Sequence, residues 1–384
     1  MISYPFVIYT LCYDDEVHCN HAKKQYAARK SRRICRMSNG VKTLVEISSQ
    51  PTVWQRCLQY LKHEDLRRLT DGHSPLDVEW VFIGCGTSFY LAQAAALSFT
   101  ALLNTSARAV PASEALLRPE LVFPGGVKSY YPVLISRSGH TSEVLSVAEI
   151  LNNEKVPFLA VTCDGRELAG MTDNVLMMQV EEESTVMTSS FTSMLLGLQY
   201  LAGTFANNID FLEALHQLPK HLERLLDTYS DEVAAFARKP FDDIAILGQG
   251  ALYPIAAESA LKVMESSSTF AQYFHTLEFR HGPKSIAGPS TLIGALISDS
   301  GYDAESAVLV EMKDLGSKIF AVVNRAGEQL REQADLLIEL DLPVPELARL
   351  AIYVVWGQLL GSYRGLEKGL NPDYPRNLSR VVTI

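Results

Sequence analysis

The stretch Pro132-Val-Leu-Ile-Ser-Arg-Ser-Gly-His-Thr-Ser-Glu-Val-Leu145 carries three structural signals in one short run. Residues 133–135 are a brief apolar segment closed by turn residues, the pattern of a strand buried on both faces. Ser136, Ser138, Gly139 and Thr141 follow as a hydroxyl-rich turn. Glu143-Val-Leu-Ser-Val-Ala-Glu-Ile-Leu151 then has the apolar spacing of a helix. Strand, hydroxyl-rich turn and helix start together make an anion site. The first N–H groups of a helix have no intrahelical acceptor and carry the positive end of its dipole. Hydroxyls add donors without charge, and Gly139 lets the backbone come close to a ligand. The competing reading is an ordinary Ser/Thr N-cap, but one cap uses one hydroxyl and three stand here.

Working outward, residues 43–63 have a helical pattern with Trp54, Cys57, Leu58 and Leu61 on one face. Val78-Glu-Trp-Val-Phe-Ile-Gly-Cys-Gly-Thr-Ser88 reads as a strand entering a Gly-rich turn, and residues 89–102 as the helix after it. Further strands are expected at 107–111, 156–162 and 174–179, and a long helix at about 188–206. Strands alternating with helices predict an α/β fold with a parallel sheet covered on both faces.

The pattern then repeats. Leu134-Ile-Ser-Arg-Ser-Gly139 returns as Leu296-Ile-Ser-Asp-Ser-Gly301, and Phe158-Leu-Ala-Val161 as Phe320-Ala-Val-Val323, both at an offset of 162 residues. Gly84-Cys-Gly86 returns as Gly248-Gln-Gly250 at an offset of 164. Matches in the same order at a nearly constant offset indicate a tandem duplication of one three-layer α/β/α unit, joined within the mostly helical segment at about 205–240. The units are placed at 43–215 and 216–384, with 1–42 read as a poorly ordered N-terminal extension. The two key turns differ: the first has Ser136, Ser138 and Thr141, the second Asp299, Tyr302 and Asp303. Carboxylates repel a phosphate, so the anion belongs to the first half and the second must contribute something else.

Composition bounds the function. The 384 residues are 47% hydrophobic, with mean hydropathy +0.06, net charge −10 and a pI near 5.4. This is a globular composition without a basic face for nucleic acid. No apolar run reaches the length that spans a bilayer. The six Cys lack paired spacing, as in reduced cytosolic thiols, and Cys85 and Cys163 sit in apolar strand contexts that predict small buried residues. Cys12, His18, Cys19 and His21 match no closed zinc pattern, so no metal is expected. The N-terminus also lacks the layout of a secretory signal, and its basic run at 23–36 precedes the first domain-like residue, Met37.

The second half supplies chemistry of its own. Glu258, Lys262 and Glu265 fall at helical spacing and share one face, which is either a solvated charged stripe or part of a site. Thr276-Leu-Glu-Phe-Arg-His-Gly-Pro-Lys-Ser285 places His281 at a sharp turn beside Glu278, Arg280 and Lys284. A histidine there is either structural or a general acid/base. There is no metal cluster, nicotinamide fingerprint or Walker lysine, and Gly84-Cys-Gly86 is only a fragment of a dinucleotide motif. A cofactor-free reaction on a phosphorylated small molecule is the expectation.

Gly84-Cys-Gly-Thr-Ser88, Ser136-Arg-Ser-Gly-His-Thr141, Glu265, His281-Gly-Pro283 and Pro375-Arg-Asn-Leu-Ser-Arg380 together resemble the double sugar-isomerase (SIS) domain proteins over roughly residues 43–384. The likeness extends to the isomerase half of glutamine–fructose-6-phosphate aminotransferase. Phe279-Arg-His-Gly-Pro-Lys-Ser285, Met187-Thr-Ser-Ser190 and Ser379-Arg-Val-Val382 look closer still to the tagatose-6-phosphate ketose/aldose isomerase branch, which includes amino-sugar-phosphate deaminases.

The resemblance implies a duplicated flavodoxin-like SIS fold and roles by residue. Ser136, Ser138 and Thr141, with Thr87 and Ser88, would hold a sugar phosphate. Glu265 would move the proton between C1 and C2. His281 would open the sugar ring and, in such dimers, can come from the neighbouring subunit. Val186, Thr188 and Ser189 would line the sugar pocket, with Lys262 also among the substrate contacts.

Two positions depart from the aminotransferase. Arg380 stands where it has a lysine; an arginine stays protonated and is no amine nucleophile, but it can bond a sugar hydroxyl or an enediolate. His140 replaces an acidic residue of the phosphate turn. The short N-terminal segment holds no glutaminase domain, so synthesis from glutamine is not expected. The expected activity is conversion of galactosamine or glucosamine 6-phosphate to a ketose 6-phosphate and ammonia. The alternatives are plain isomerisation of a hexose 6-phosphate such as tagatose 6-phosphate, and a non-catalytic sugar-phosphate sensor. A cytoplasmic homodimer without nucleic-acid or membrane partners is expected.

Overall fold

The structure, a computed structural model, describes residues 42–124, 129–164 and 166–381. The reading of 1–42 as a poorly ordered extension therefore lies, apart from Lys42, outside the described residues. The first half runs α1 (Lys42–Leu61), β1 (Val78–Gly84), α2 (Thr87–Leu103), β2 (Ala107–Pro111), α3 (Ala112–Leu117) and α4 (Pro119–Val122). It continues with β3 (Ser129–Ile135), α5 (Ser142–Asn153), β4 (Leu159–Thr162), α6 (Arg166–Ala169), β5 (Val175–Met177) and α7 (Ser189–Phe205). The 28-residue α8 (Ile209–Phe236) leads into β6 (Asp243–Gly248), α9 (Leu252–Ser267), β7 (Phe270–Phe274) and β8 (Thr291–Leu296). Then come α10 (Tyr302–Asp314), β9 (Lys318–Val323), α11 (Glu328–Gln333), β10 (Leu336–Glu339) and α12 (Leu350–Glu367).

Each half forms one five-stranded parallel sheet, ordered β2-β1-β3-β4-β5 and β7-β6-β8-β9-β10. The two orders are the same, so the tandem duplication read from the sequence is present in the topology. It reaches single atoms as well. Gly86 and Gly250 both have positive φ, 53° and 56°. A Cβ on Gly84 would lie 2.5 Å from the Ser88 carbonyl oxygen, and one on Gly248 would lie 2.4 Å from that of Leu252. In both halves the helix turns straight back onto the end of its strand, and only glycine leaves room.

The sheets are buried on both faces, as the apolar strands require. Trp80 and Phe82 of β1, with Ile244 and Ile246 of β6, face a central core shared by the two halves; Trp54, Phe191, Leu215, Tyr353 and Trp356 fill it. Val81, Ile83 and Leu134 face a second cluster under α5, and Leu247, Ile293 and Ala295 a third under α10. The division at 215/216 falls inside α8, whose Leu215, Leu218, Leu222 and Leu225 all enter the shared core. Strand β4 starts at Leu159 rather than 156, since Pro157 has no N–H to give a ladder. Cys85 and Cys163 are half-buried rather than fully buried. Among the described residues no helix is long and apolar enough to cross a membrane.

In a doubly wound sheet of this order, ligands bind where the strand order reverses, outside the carboxyl ends of the first and third strands. That places the turns 84–88 and 136–141 side by side, because Ile83 pairs with Leu134.

Candidate active site

The 136–141 turn is folded around its own hydroxyls. The Ser136 N–H donates to the Val161 carbonyl at 3.0 Å and fixes the turn to β4. Gly139, at φ 67°, donates its N–H to Ser136 Oγ at 3.1 Å, and the His140 N–H donates to Ser138 Oγ at 3.2 Å. Ser136 Oγ and Thr141 Oγ1 lie 3.0 Å apart. Thr141 precedes α5 but makes no capping bond to it, so the simple N-cap reading does not hold. The Ser136 and Thr141 hydroxyls meet at the start of a helix that neither caps, an arrangement suited to a tetrahedral oxyanion. Across the crevice Thr87 and Ser88, 6% exposed each, begin α2, which also lacks a side-chain cap.

The second half enters this crevice through α9, which packs on α2. Lys262 Nζ donates to Thr87 Oγ1 at 3.0 Å and to Glu265 Oε2, and lies 3.4 Å from Glu258 Oε1. The side chains of Lys262 and Glu258 are 1% and 0% exposed, whereas Glu265 keeps 18%. The solvated-stripe reading is therefore overturned: α2 covers the face that spacing alone left open. Complete burial pushes Glu258 up to about 8. Burial pulls Lys262 down, but the two carboxylates outweigh it and hold the ammonium above its ordinary value. Lys262 Nζ thus faces two carboxyl groups, of which only Glu265 reaches the crevice.

This predicts a pH signature. A carboxyl whose folded value is raised contributes stability that is full below its unfolded value and lost as pH rises through the folded one. The window runs from 4.5 to about 8. Glu258→Gln should flatten the fall in thermal stability across that window, as read by melting curves at pH 5, 6, 7 and 8. An unchanged slope would mean that Glu258 is ionised throughout.

The loop before α7 is tied to the 136–141 turn by a buried ion pair that the sequence does not show. Arg137 Nη1 lies 3.1 Å from Glu182 Oε2, with side chains 8% and 1% exposed. Glu182 also accepts from the Thr188 N–H at 2.8 Å, Thr188 Oγ1 at 3.1 Å, the Ser190 N–H at 3.2 Å and Ser190 Oγ. Arg137 further donates to the Thr185 and Arg380 carbonyls at 3.1 and 3.3 Å, while the Arg380 guanidinium donates to the Glu182 carbonyl. Residues 136–141, 182–190 and the C-terminal tail are thus brought to one place. Of the three proposed pocket residues here, Val186 and Thr188 are buried, and Ser189 Oγ is buried without a hydrogen-bond partner among the described residues. Glu46 of α1 holds the same loop through the Glu183 and Ser184 N–H groups, at 2.6 and 3.1 Å.

His281 stands apart. It follows a 3-10 turn, its side chain is exposed, and among the described residues no hydrogen bond or ion pair joins it to Lys262, Glu265 or the hydroxyl turns. Its cationic neighbours do not crowd it: Arg280 and Lys284 are paired to Glu311 at 2.9 and 2.8 Å. Among the described residues no group of three His, Cys, Asp or Glu is arranged to hold a metal ion.

Comparison with known proteins matches the SIS domain family to residues 79–202 and 240–358, one match for each half. The chain is 27% identical over 310 residues to glutamine–fructose-6-phosphate aminotransferase of Methanothermobacter thermautotrophicus, covering 79% of this chain and 51% of that protein. It thus spans about half the length of such aminotransferase relatives. It is also 27% identical to the D-galactosamine-6-phosphate deaminase of Shewanella sp. strain ANA-3, over 88% of this chain and 90% of the relative. Among solved structures, glucosamine-6-phosphate deaminase from Thermotoga maritima aligns with a TM-score of 0.75 and 27% identity, covering 89% of this chain and all of that one.

Proposed function

Since the chain belongs to the SIS domain family, we propose that it converts a hexosamine 6-phosphate, with galacto or gluco configuration, to the ketose 6-phosphate and ammonia. The observation that carries this reading is the Lys262 bridge. One ammonium joins Thr87 to Glu265, so a sugar whose phosphate is anchored beside Thr87 would lie against the Glu265 carboxylate. Two relatives matched along nearly their whole lengths are named for deamination of such sugar phosphates, which favours nitrogen loss over plain isomerisation.

The phosphate would rest on the hydroxyls of Thr87, Ser88, Ser136, Ser138 and Thr141 and on the first N–H groups of α2 and α5, preorganised donors for a dianion. With the ring open, Glu265 takes the proton from C2 while O1 is protonated, giving an enolamine. Returning the proton to C1 leaves a C1 hydroxymethyl and a C2 ketimine. Water adds to the ketimine, and ammonia leaves with formation of the ketone. Lys262 keeps Glu265 oriented. Arg380, held at the pocket by Glu182, hydrogen-bonds the oxygen that develops charge.

Ring opening falls to His281 of a second copy in a homodimer. The exposure of that histidine, and of Leu277 and Ile286 on the same segment, suits a surface that another subunit covers.

Purified protein incubated with galactosamine or glucosamine 6-phosphate, with no cofactor added, should release ammonia and ketose 6-phosphate in equal amounts. Ketose formed only from a plain aldose 6-phosphate would replace the deaminase by an isomerase. Binding of both amino sugars without turnover of any sugar would replace it by a sensor.

A further inference from the structure

The second half contains a crevice equivalent to the phosphate site, between the ends of β6 and β8. Its turn is built alike. The Gly301 N–H donates to Ser298 Oγ at 3.0 Å, as the Gly139 N–H does to Ser136 Oγ at 3.1 Å. The partner of that serine differs. In the first half Ser136 Oγ meets a neutral hydroxyl, Thr141. In the second, Ser298 Oγ donates to Glu305 Oε1, and Thr276 Oγ1 donates to Glu305 Oε2 at 3.3 Å. Glu305 is 1% exposed and Thr276 fully buried. The turn closes tightly over the carboxylate: a Cβ on Gly301 would lie 2.2 Å from Glu305 Oε1 and 2.7 Å from Ser298 Oγ. Asp299, on the same turn, is taken up by the buried Arg349.

Thr276 opens the segment that ends in His281. Glu305 lies on α10, and the same helix carries Glu311, which pairs with Arg280 and Lys284 on either side of that histidine. Between them Phe279 is fully buried in the core under α10. One helix therefore grips the histidine segment at its start, its middle and its end.

We propose that the Glu305 carboxyl group fills the second crevice from within the chain, and that this crevice serves to position the His281 turn rather than to bind a ligand. Glu305 is then a positioning residue, and the duplicated half has exchanged an external phosphate for a carboxylate of its own chain. The consequence for turnover rests on the role given to His281 above; the occupancy of the crevice does not.

The test uses the full chain with Glu305→Ala and Glu305→Gln. In Glu305→Ala, amide exchange over 276–286 should rise at least about tenfold, while exchange over 136–141 stays as in the parent. kcat should fall by about 10²-fold with KM for the sugar phosphate little changed, because the phosphate site lies in the other half. Added formate or acetate should restore part of the turnover and of the exchange protection by refilling the vacated position. Glu305→Gln, whose amide can satisfy both hydroxyls, should retain most of both. Unchanged exchange over 276–286, or a loss that falls on KM and is not relieved by either anion, would overturn the proposal. If the parent protein turned over no sugar phosphate, the exchange and anion measurements would still decide the occupancy, and only the functional reading would fall.

Discussion

Glu265→Gln should bind hexosamine 6-phosphate as the parent does and turn it over about 10²- to 10⁴-fold more slowly, the range that a positioned acid–base group contributes. The substitution keeps the shape and one oxygen for Lys262 Nζ but cannot take a proton from C2. It should also let Glu258 ionise more readily, because the Glu265 charge is among the causes that hold Glu258 up. Lys262 then keeps a counter-charge, and the variant should stay folded. Calorimetry for binding and single-turnover kinetics for chemistry separate the two effects. A kcat within tenfold of the parent would remove Glu265 from the proton transfer and leave the crevice a binding site.

The largest effect on stability should come from Glu182→Ala, at about 3–5 kcal/mol, the cost of removing one member of a buried ion pair. The carboxylate has partners beyond Arg137: two N–H groups and two hydroxyls of the 188–190 segment also donate to it. Its loss leaves a guanidinium that is 8% exposed, and the donors at the start of α7, without their acceptor. Arg137→Ala should cost less, since Glu182 keeps its four other donors. The double variant should cost less than the sum of the two. Urea unfolding of the three proteins measures this directly, and a cost below about 1 kcal/mol for Glu182→Ala would mean that water replaces the ion pair. Activity should fall in both single variants, because the pair ties the turn proposed to hold the phosphate to the loop proposed to line the sugar pocket and to the tail that carries Arg380.

Much of this was legible along the chain. A strand buried on both faces shows as an uninterrupted apolar run, and the glycines at 84, 86, 248 and 250 mark the two places where a helix returns onto its strand. Serine at 136 and 298, each followed three residues later by glycine, marks equivalent turns. Spacing also put Glu258, Lys262 and Glu265 on one face, while Asp299, read along the chain as a charge repelling phosphate, is paired to the buried Arg349. What spacing left open was the medium around those charges. Arg137 was visible inside the opening stretch, but its partner stands 45 residues away and shows no periodic relation to it. Glu305 reads as an ordinary acidic residue in the first turn of α10, with no hint that it points inward.

The amino-acid sequence by itself determined the α/β class, the duplication and the hydroxyl-rich turn between β3 and α5, because each depends on residues within a few positions of one another or on a repeated pattern. The tertiary structure decided which charges were taken out of water and what they then met. The contact between Lys262 and Thr87 spans 175 positions. It exists only because α9 of one half packs on α2 of the other, and it turns a helical charge stripe into a held carboxylate at the crevice. Burial and local dielectric belong to the surroundings that folding assembles, and the same three residues on an uncovered helix would be a solvated face.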